Sequence, residues 1–422
     1  MKKKTDSLHF KQQAVQWANQ FDVCCILDNN SCVNAFDLHE IEFAMAAGVS
    51  DSITGNGIDD WERLKTFIDK HSQNYPVFGY FSYDLKNQIE KLESAHDDFI
   101  QFPSMYFFVP QHVILIDSNA QMMVMSPESD AIMEQIKVQK IEDNKRQMVI
   151  LKQKVSKEVY LRNVEAIKNH IIEGDVYELN YCVEFFAEKV ILNPVQTYIH
   201  LQHNSPTPFG AFFKLNDKYI LCASPERFIK KSLNKLYSQP IKGTVKRSDD
   251  FLKDEELKEE LQYSEKERAE NLMIVDLVRN DLAKSSVTGS VKVEELYGIY
   301  SFKQVHQMIS TVSSTITDGL HPVEAIRNAF PMGSMTGAPK VMAMELIEQY
   351  ETSKRGVYSG AMGYFAPNED FDFNVVIRSI QYNQSTQYLN FEVGSAITFD
   401  SDAEKEYEEC LLKAEAMIKA LS

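Results

Sequence analysis

Residues 160–186 read YLRNVEAIKNHIIEGDVYELNYCVEFF, and the periodicity changes partway along them. Tyr160, Val164, Ile167 and Ile171 recur every three or four residues, which sets them on one face of a helix. Gly174 stands where a left-handed cap commonly closes a helix, a conformation that a residue without a Cβ adopts at no steric cost. Beyond it, residues 177–186 read as a strand. A helix that hands its chain directly to a strand is the unit of a mixed α/β or α+β fold.

The same alternation extends outward in both directions. Further strands are predicted at residues 218–223, 358–365, 371–380 and 388–393, with long helices between and after them, so the expected architecture contains large antiparallel sheets. Toward the start, short apolar runs alternate with polar loops, and a strand over residues 21–27 should end at the turn-forming Asp28, Asn29 and Asn30. The stretch from 128 to 157 is charged and helical. It divides the chain into an N-terminal subdomain, 1–150, and a second one, 151–422. The chain shows no internal repeat and no low-complexity segment.

The totals exclude several classes. The 422 residues are 44% hydrophobic and 25% charged, enough to bury one large core or two without staples. A net charge of −17 argues against nucleic acid as a partner, because phosphate is held by Lys and Arg. No apolar run is long enough for a membrane span, and the residues after Lys2, Lys3 and Lys4 do not resemble a signal peptide. Six scattered cysteines lack any zinc spacing and read as reduced thiols, which points to the cytoplasm.

Several residues could carry chemistry, and each has a plainer reading. The run GSMTGAPK (333–340) suggests a phosphate loop, but its glycine spacing is wrong and Val341 stands where Ser or Thr would have to ligate a metal. What remains is a glycine-bearing loop entering a helix near Pro339, suited to a carboxylate ligand or simply a helix start. Glu267 and Glu270 are three apart on one helix, and Glu406 and Glu409 on another. Each pair shares a helical face, and four such oxygens could hold Mg²⁺ or could be solvated surface. Lys242, in SQPIKGTVKR, is a nucleophile if its site makes it neutral, or a surface turn. Glu226, in CASPERF, is a general acid or the partner of Arg227; His306, in VHQMIS, is catalytic or a satisfied core residue.

Taken in order, CASPERF, PIKGT, RAENLMIVDLVRNDL, VHQMIST, GSMTGAPK, YSGAMGYF, VVIRS, VGSAI and EYEEC resemble the chorismate-utilising enzyme family over residues 155–422. CCILDNN and VFGYFSYDLKN resemble its component I branch. The resemblance implies two intertwined subdomains with large, mostly antiparallel sheets surrounded by helices, like anthranilate synthase component I. It implies Glu270 and Glu409 as direct Mg²⁺ ligands, with Glu267 and Glu406 beside them through water. It further implies that Thr336 and the backbone near Gly394 and Ser395 meet the ring carboxylate of chorismate, that Tyr358 and Arg378 hold the enolpyruvyl carboxylate, and that Lys413 lies near the metal. Thr244, after Lys242, belongs to the same substrate set; Glu226 matches the general acid and His306 the histidine near the ring.

Lysine at 242 selects a branch. Aminodeoxychorismate synthases resemble this chain in reading PIKGT, whereas anthranilate synthases read PIAGT, so the resemblance implies amination of chorismate at ring carbon 4 by ammonia. Anthranilate synthesis and a silent chorismate-binding subunit are the alternatives. Glu178, in GDVYELNY, stands where isochorismate and salicylate synthases carry a lysine that activates water and where the ammonia-using branches usually have glutamine; it joins the substrate-binding set, either orienting ammonia or accepting its proton, and VGSAI is poorer in glycine than its counterparts. No cysteine has the GxCxGxQ context of a glutaminase nucleophile, so a separate glutamine amidotransferase subunit is expected to supply ammonia.

Overall fold

The computed structural model of the protein describes residues 2–32, 38–141 and 148–422. Its strands join into one hydrogen-bonded network in which every pairing is antiparallel, with helices packed on the outside. The expected large antiparallel sheets surrounded by helices are therefore what the chain builds.

Strand pairing interlocks the two halves of the chain. Val23–Asp28 lies between Ile41–Thr54 and Phe209–Leu215, and Val77–Phe81 pairs with both Met105–Asp117 and Ala361–Phe365. Strands from before residue 150 thus share ladders with strands from well after it. Of the charged stretch between them, Ser129–Lys137 is helical, and residues 142–147 lie outside the described residues.

Local rules account for most element ends. The helix Lys157–Glu173 starts where the Ser156 hydroxyl accepts from Val159 N–H, buries Tyr160, Val164 and Ile167, and stops at Gly174 with φ 89°. The following strand runs Glu178–Ala187, and just before it Tyr177 N–H donates to the Ala338 carbonyl at 2.7 Å. The expected strand over 371–380 is broken into Phe371–Val375 and Ser379–Asn383, since Arg378 turns the chain with a φ of 50°. The expected strand over 358–365 begins only at Ala361, after Ser359 at φ 60°. Tyr388–Ile397 outlasts its apolar run because Gly394, Ser395 and Ala396 continue the ladder opposite Cys182, Tyr181 and Asn180.

Two large cores flank these strands. One packs Tyr160, Val164, Leu201, Phe391 and Met417 between the helices Lys157–Glu173, Pro194–Asn204 and Ala403–Ala420 and the strands beneath them. The other is aromatic: Phe81 stacks on Trp61 at 5.2 Å and meets Phe107 at 4.7 Å and Phe373 at 5.4 Å. Because Phe81 is fully buried at a crossing of strands from both halves, Phe81→Ala should cost about 3–5 kcal/mol of stability. Urea unfolding measures it, and a loss below about 1 kcal/mol would show that the site collapses around the cavity.

Candidate active site

Two helices bring acids together from distant parts of the chain. Glu265–Ala283 begins at Ser264, whose hydroxyl accepts from Glu267 N–H at 3.3 Å, and it packs on the strand Ile241–Lys246. Ala403–Ala420 packs on Tyr388–Ile397. The Lys266 ammonium lies between the two helices, 3.7 Å from Glu270 Oε1 and 3.6 Å from Glu406 Oε1. Glu406 is buried and also accepts from Ser401 at 2.9 Å. Gly243, at φ 88°, allows the strand to approach: a Cβ there would lie 3.1 Å from Glu267 Oε2.

The electrostatics show what these acids lack. Burial pushes the Glu270 carboxyl up to about 7 against the pull of Lys242, and Glu267 is raised chiefly by burial, with Glu409 adding to it. Glu409 is held below its usual range by the Lys413 ammonium, 2.7 Å away. Among the described residues these glutamates do not bring three ligand atoms within 4.8 Å of one another; the group that does is His170, Glu173 and Asp175. That group is more exposed, and its His170 ring is engaged on both nitrogens, by Asp175 at 2.7 Å and Tyr350 at 3.0 Å. The four-glutamate cluster is a hard-oxygen set, with Lys266 between its helices and Lys413 on Glu409, and it fits a divalent cation.

Lys242 projects into the same cluster. Its Nζ donates to Glu178 Oε1 at 2.8 Å, and both side chains are largely shielded from water. Burial works against its charge, yet the Glu178, Glu270 and Glu409 carboxylates outweigh that and raise its pKa well above the ordinary lysine value. The structure thus holds charged an amine that nucleophilic attack would require neutral. Glu178 Oε2 is buried without a hydrogen-bond partner among the described residues. The backbone of Glu178 is fixed from the GSMTGAPK loop, where Ala338 pairs with Glu178 and Gly337 with Leu179. Gly337 is required there, since a Cβ would stand 2.1 Å from the Glu178 carbonyl oxygen.

Glu226 sits across from the lysine. Its amide donates to Ser224 Oγ at 3.2 Å, and its carbonyl accepts from Val375 N–H at 3.0 Å. Burial pushes its carboxyl up to about 7, opposed by Ser334, Lys242, Arg378 and Lys413. A small cleft opens beside it, lined by Pro240, Met332, Gly333 and Ser334; Lys242 and the four glutamates lie outside its wall. Arg378 has no carboxylate at ion-pair distance among the described residues, and burial lowers its pKa, with Glu226 as the opposing charge. An unpaired guanidinium of this kind suits an anionic ligand.

The other expected residues are placed as follows. Lys413 Nζ donates to the Gly394 carbonyl at 2.8 Å, and the buried Tyr358 hydroxyl lies 3.6 Å from Cys182 Sγ. The Thr336 hydroxyl is turned into its own loop, donating to the Met332 carbonyl at 3.1 Å. Ser395 Oγ faces away from Gly394, toward the Tyr160 hydroxyl at 3.0 Å, and Thr244 is exposed with Gln307 at 3.4 Å. His306 is buried, bonded to Ser301 at 2.8 Å through Nδ1 and to Asp254 at 3.1 Å through Nε2. Sequence reasoning missed Lys266, Ser334 and Arg355. Arg355 donates to the Met335 carbonyl at 2.7 Å, the Asn180 carbonyl at 3.0 Å and Glu351 at 2.6 Å, tying the loop to the strand that bears Glu178. Lys266 left a trace in its spacing of four from Glu270, and Ser334 in the run GSMTGAPK.

Comparison with known proteins fits this geometry. Residues 27–419 match the family described as chorismate binding enzyme. The chain belongs to that family. A Bacillus subtilis relative named aminodeoxychorismate synthase component 1 is 33% identical over 85% of this chain and 80% of its own length. A rice protein named probable aminodeoxychorismate synthase, chloroplastic, is 43% identical over 66% of this chain, which spans only 31% of that longer protein. Anthranilate synthase component I from Streptococcus pneumoniae superposes with a TM-score of 0.80 at 26% identity, covering 92% of this chain and 94% of the other. The acidic cluster, Lys242 and Glu226 all fall inside the stretch matched to the chorismate binding family.

The raised Glu226 carboxyl has a consequence for stability. A carboxyl whose folded pKa lies above its unfolded value stabilises the protein fully below about 4.5, and that contribution is lost as pH rises through about 7. The melting temperature should therefore fall between pH 5 and pH 8, and Glu226→Gln should flatten that fall. An unchanged pH slope in the variant, read by calorimetry, would assign the effect to other groups.

Proposed function

We propose that this chain aminates chorismate with ammonia to 4-amino-4-deoxychorismate, as the names of its bacterial relatives suggest. The observation that carries the reading is Lys242, a shielded amine set among Glu178, Glu270 and Glu409 and within electrostatic reach of a carboxyl raised to about 7. Anthranilate synthesis needs no amine at that position.

Glu270 and Glu409 would hold Mg²⁺, with Glu267 and Glu406 beside them through water. When bound, the ion would fix the ring carboxylate and withdraw charge from the ring it conjugates with. Arg378 and Tyr358 would orient the enolpyruvyl carboxylate, the guanidinium gaining the anion it lacks. The Lys242 amine adds at carbon 2 while the carbon 4–oxygen bond breaks, and Glu226 gives its proton so that water departs rather than hydroxide. Ammonia then attacks carbon 4, and the electron pair of the carbon 2–nitrogen bond returns to Lys242.

Ammonia would come from a separate glutamine amidotransferase subunit. Five of the six cysteines are buried, and burial raises those thiols, as in Cys24 to about 12 and Cys410 to about 11, so none is an activated nucleophile. None is in a disulfide, in keeping with a reducing, cytoplasmic setting. Among the described residues no helix is long and apolar enough to cross a membrane.

Incubation with chorismate, an ammonium salt and Mg²⁺, followed by chromatography, should yield 4-amino-4-deoxychorismate; anthranilate as the product would overturn the reading. Lys242→Ala should lose about 10²-fold or more in rate. Because the acid works only while protonated, kcat/KM should decline as pH rises through about 7, and Glu226→Gln should be nearly inactive at every pH. A wild-type profile level from pH 6 to 9 would remove Glu226 from the role of acid.

A further inference from the structure

Lys242 Nζ donates to the Glu178 carboxylate at 2.8 Å inside a shielded site, and the chemistry above requires a neutral amine, so some group there must take its proton. We propose that Glu178 is the catalytic base that takes the Lys242 proton at the start of each turnover and returns it at the end. The inference rests on the amination reading and gives Glu178 a role toward Lys242 rather than toward ammonia.

Geometry singles out Glu178. Its Oε1 accepts from Lys242 Nζ at 2.8 Å, so the proton has only to move along an existing hydrogen bond. Oε2 is buried with no donor facing it among the described residues. Among the described residues the ammonium of Lys242 is the side-chain donor that this carboxylate has. Transfer also replaces two buried opposite charges with a neutral pair, at a cost far smaller than that of separating them. A glutamine, the residue expected here by resemblance, could accept the same hydrogen bond but not the proton.

The charged groups around the pair do not compete for the role. Glu270 and Glu267, from the helix Glu265–Ala283, and Glu409, from Ala403–Ala420, are the prospective metal holders and lie beyond ion-pair distance of Lys242. Lys266 and Lys413 are cations facing those acids. Glu226 must hold its own proton for the departing oxygen, and both nitrogens of His306 are occupied by Ser301 and Asp254.

The proton balance closes. Lys242 ammonium and Glu178 carboxylate become amine and carboxylic acid. The amine forms its bond to carbon 2, the carbon 4–oxygen bond breaks, and the proton of Glu226 completes the departing water. Ammonia bonds to carbon 4 and the carbon 2–nitrogen pair returns to Lys242, which leaves as a neutral amine. The new carbon 4 ammonium gives a proton to the Glu226 carboxylate, Glu178 returns its proton to Lys242, and the resting state is restored with one ammonia consumed and one water released.

The test compares wild type, Glu178→Gln and Glu178→Asp as full-length chains with chorismate and Mg²⁺, at constant free-base ammonia, from pH 6.5 to 9.5. For Glu178→Gln we expect a KM for chorismate within about threefold of wild type and a kcat about 30-fold or more lower at pH 7.5. The wild-type to variant ratio should then shrink about tenfold per pH unit as water replaces Glu178 as acceptor, and Glu178→Asp should keep the wild-type pH dependence at a reduced rate. A Glu178→Gln kcat equal to wild type overturns the proposal and leaves chorismate amination standing. So does a loss whose ratio is constant with pH, since that is the signature of a merely positioning group. If wild type itself forms no 4-amino-4-deoxychorismate, the functional reading fails and takes this inference with it.

Discussion

The ion pair between Lys242 and Glu178 is the constraint around which the rest of the site is arranged. A lone ammonium out of water would shed its proton, and a lone carboxylate would gain one. Held 2.8 Å away, the Glu178 carboxylate keeps the lysine charged, and Glu270 and Glu409 add to the field that does so. The cluster nevertheless carries more negative than positive charge. Burial, with that excess adding to it, pushes Glu267 and Glu270 upward, and the excess draws Lys266 between the helices.

Holding such a charge arrangement needs a scaffold that cannot relax, and the interlocked strands provide it. Lys242, Glu178 and Glu226 come from three strands or their ends, while the four glutamates come from two helices, one laid against the strand of Lys242 and the other against Tyr388–Ile397. Arg355 adds a local clamp by gripping Met335, Asn180 and Glu351 together, so that the loop opposite Glu178 keeps its register. Side chains on such regular elements are placed more accurately than side chains on loops, which matters when a reacting atom must be met within fractions of an ångström.

Much of this was legible in the sequence because it depends on local patterns. The Tyr160–Ile171 periodicity, the Gly174 cap and the strand after it appear nearly as read, since burial and a positive φ are the same physics in sequence and in structure. Strand ends set by φ outliers at Ser359 and Arg378 were not legible, because neither residue type announces a left-handed conformation. In the site, motif residues could be named but not their partners. Nothing near Lys242 in the chain points to Glu178, which stands 64 positions earlier, and Ser395 and Thr336 spend their hydroxyls on Tyr160 and on backbone. Arg355 lies in no motif, and its role exists only once the loop and the strand are side by side.

Two carboxylates near one amine sit in different surroundings. Glu226 is buried with cations nearby but none hydrogen-bonded to it, so desolvation wins and its proton stays on near neutral pH. Glu178 is as deeply buried, yet a direct ammonium contact keeps it available as an acceptor. Environments that push paired acids apart are how one site supplies both a proton donor and a proton acceptor at a single pH. The reaction needs both at once, because expelling hydroxide calls for an acid and freeing the amine calls for a base. Exchanging the surroundings of Glu226 and Glu178 would leave the same residues present with neither in a state it could use.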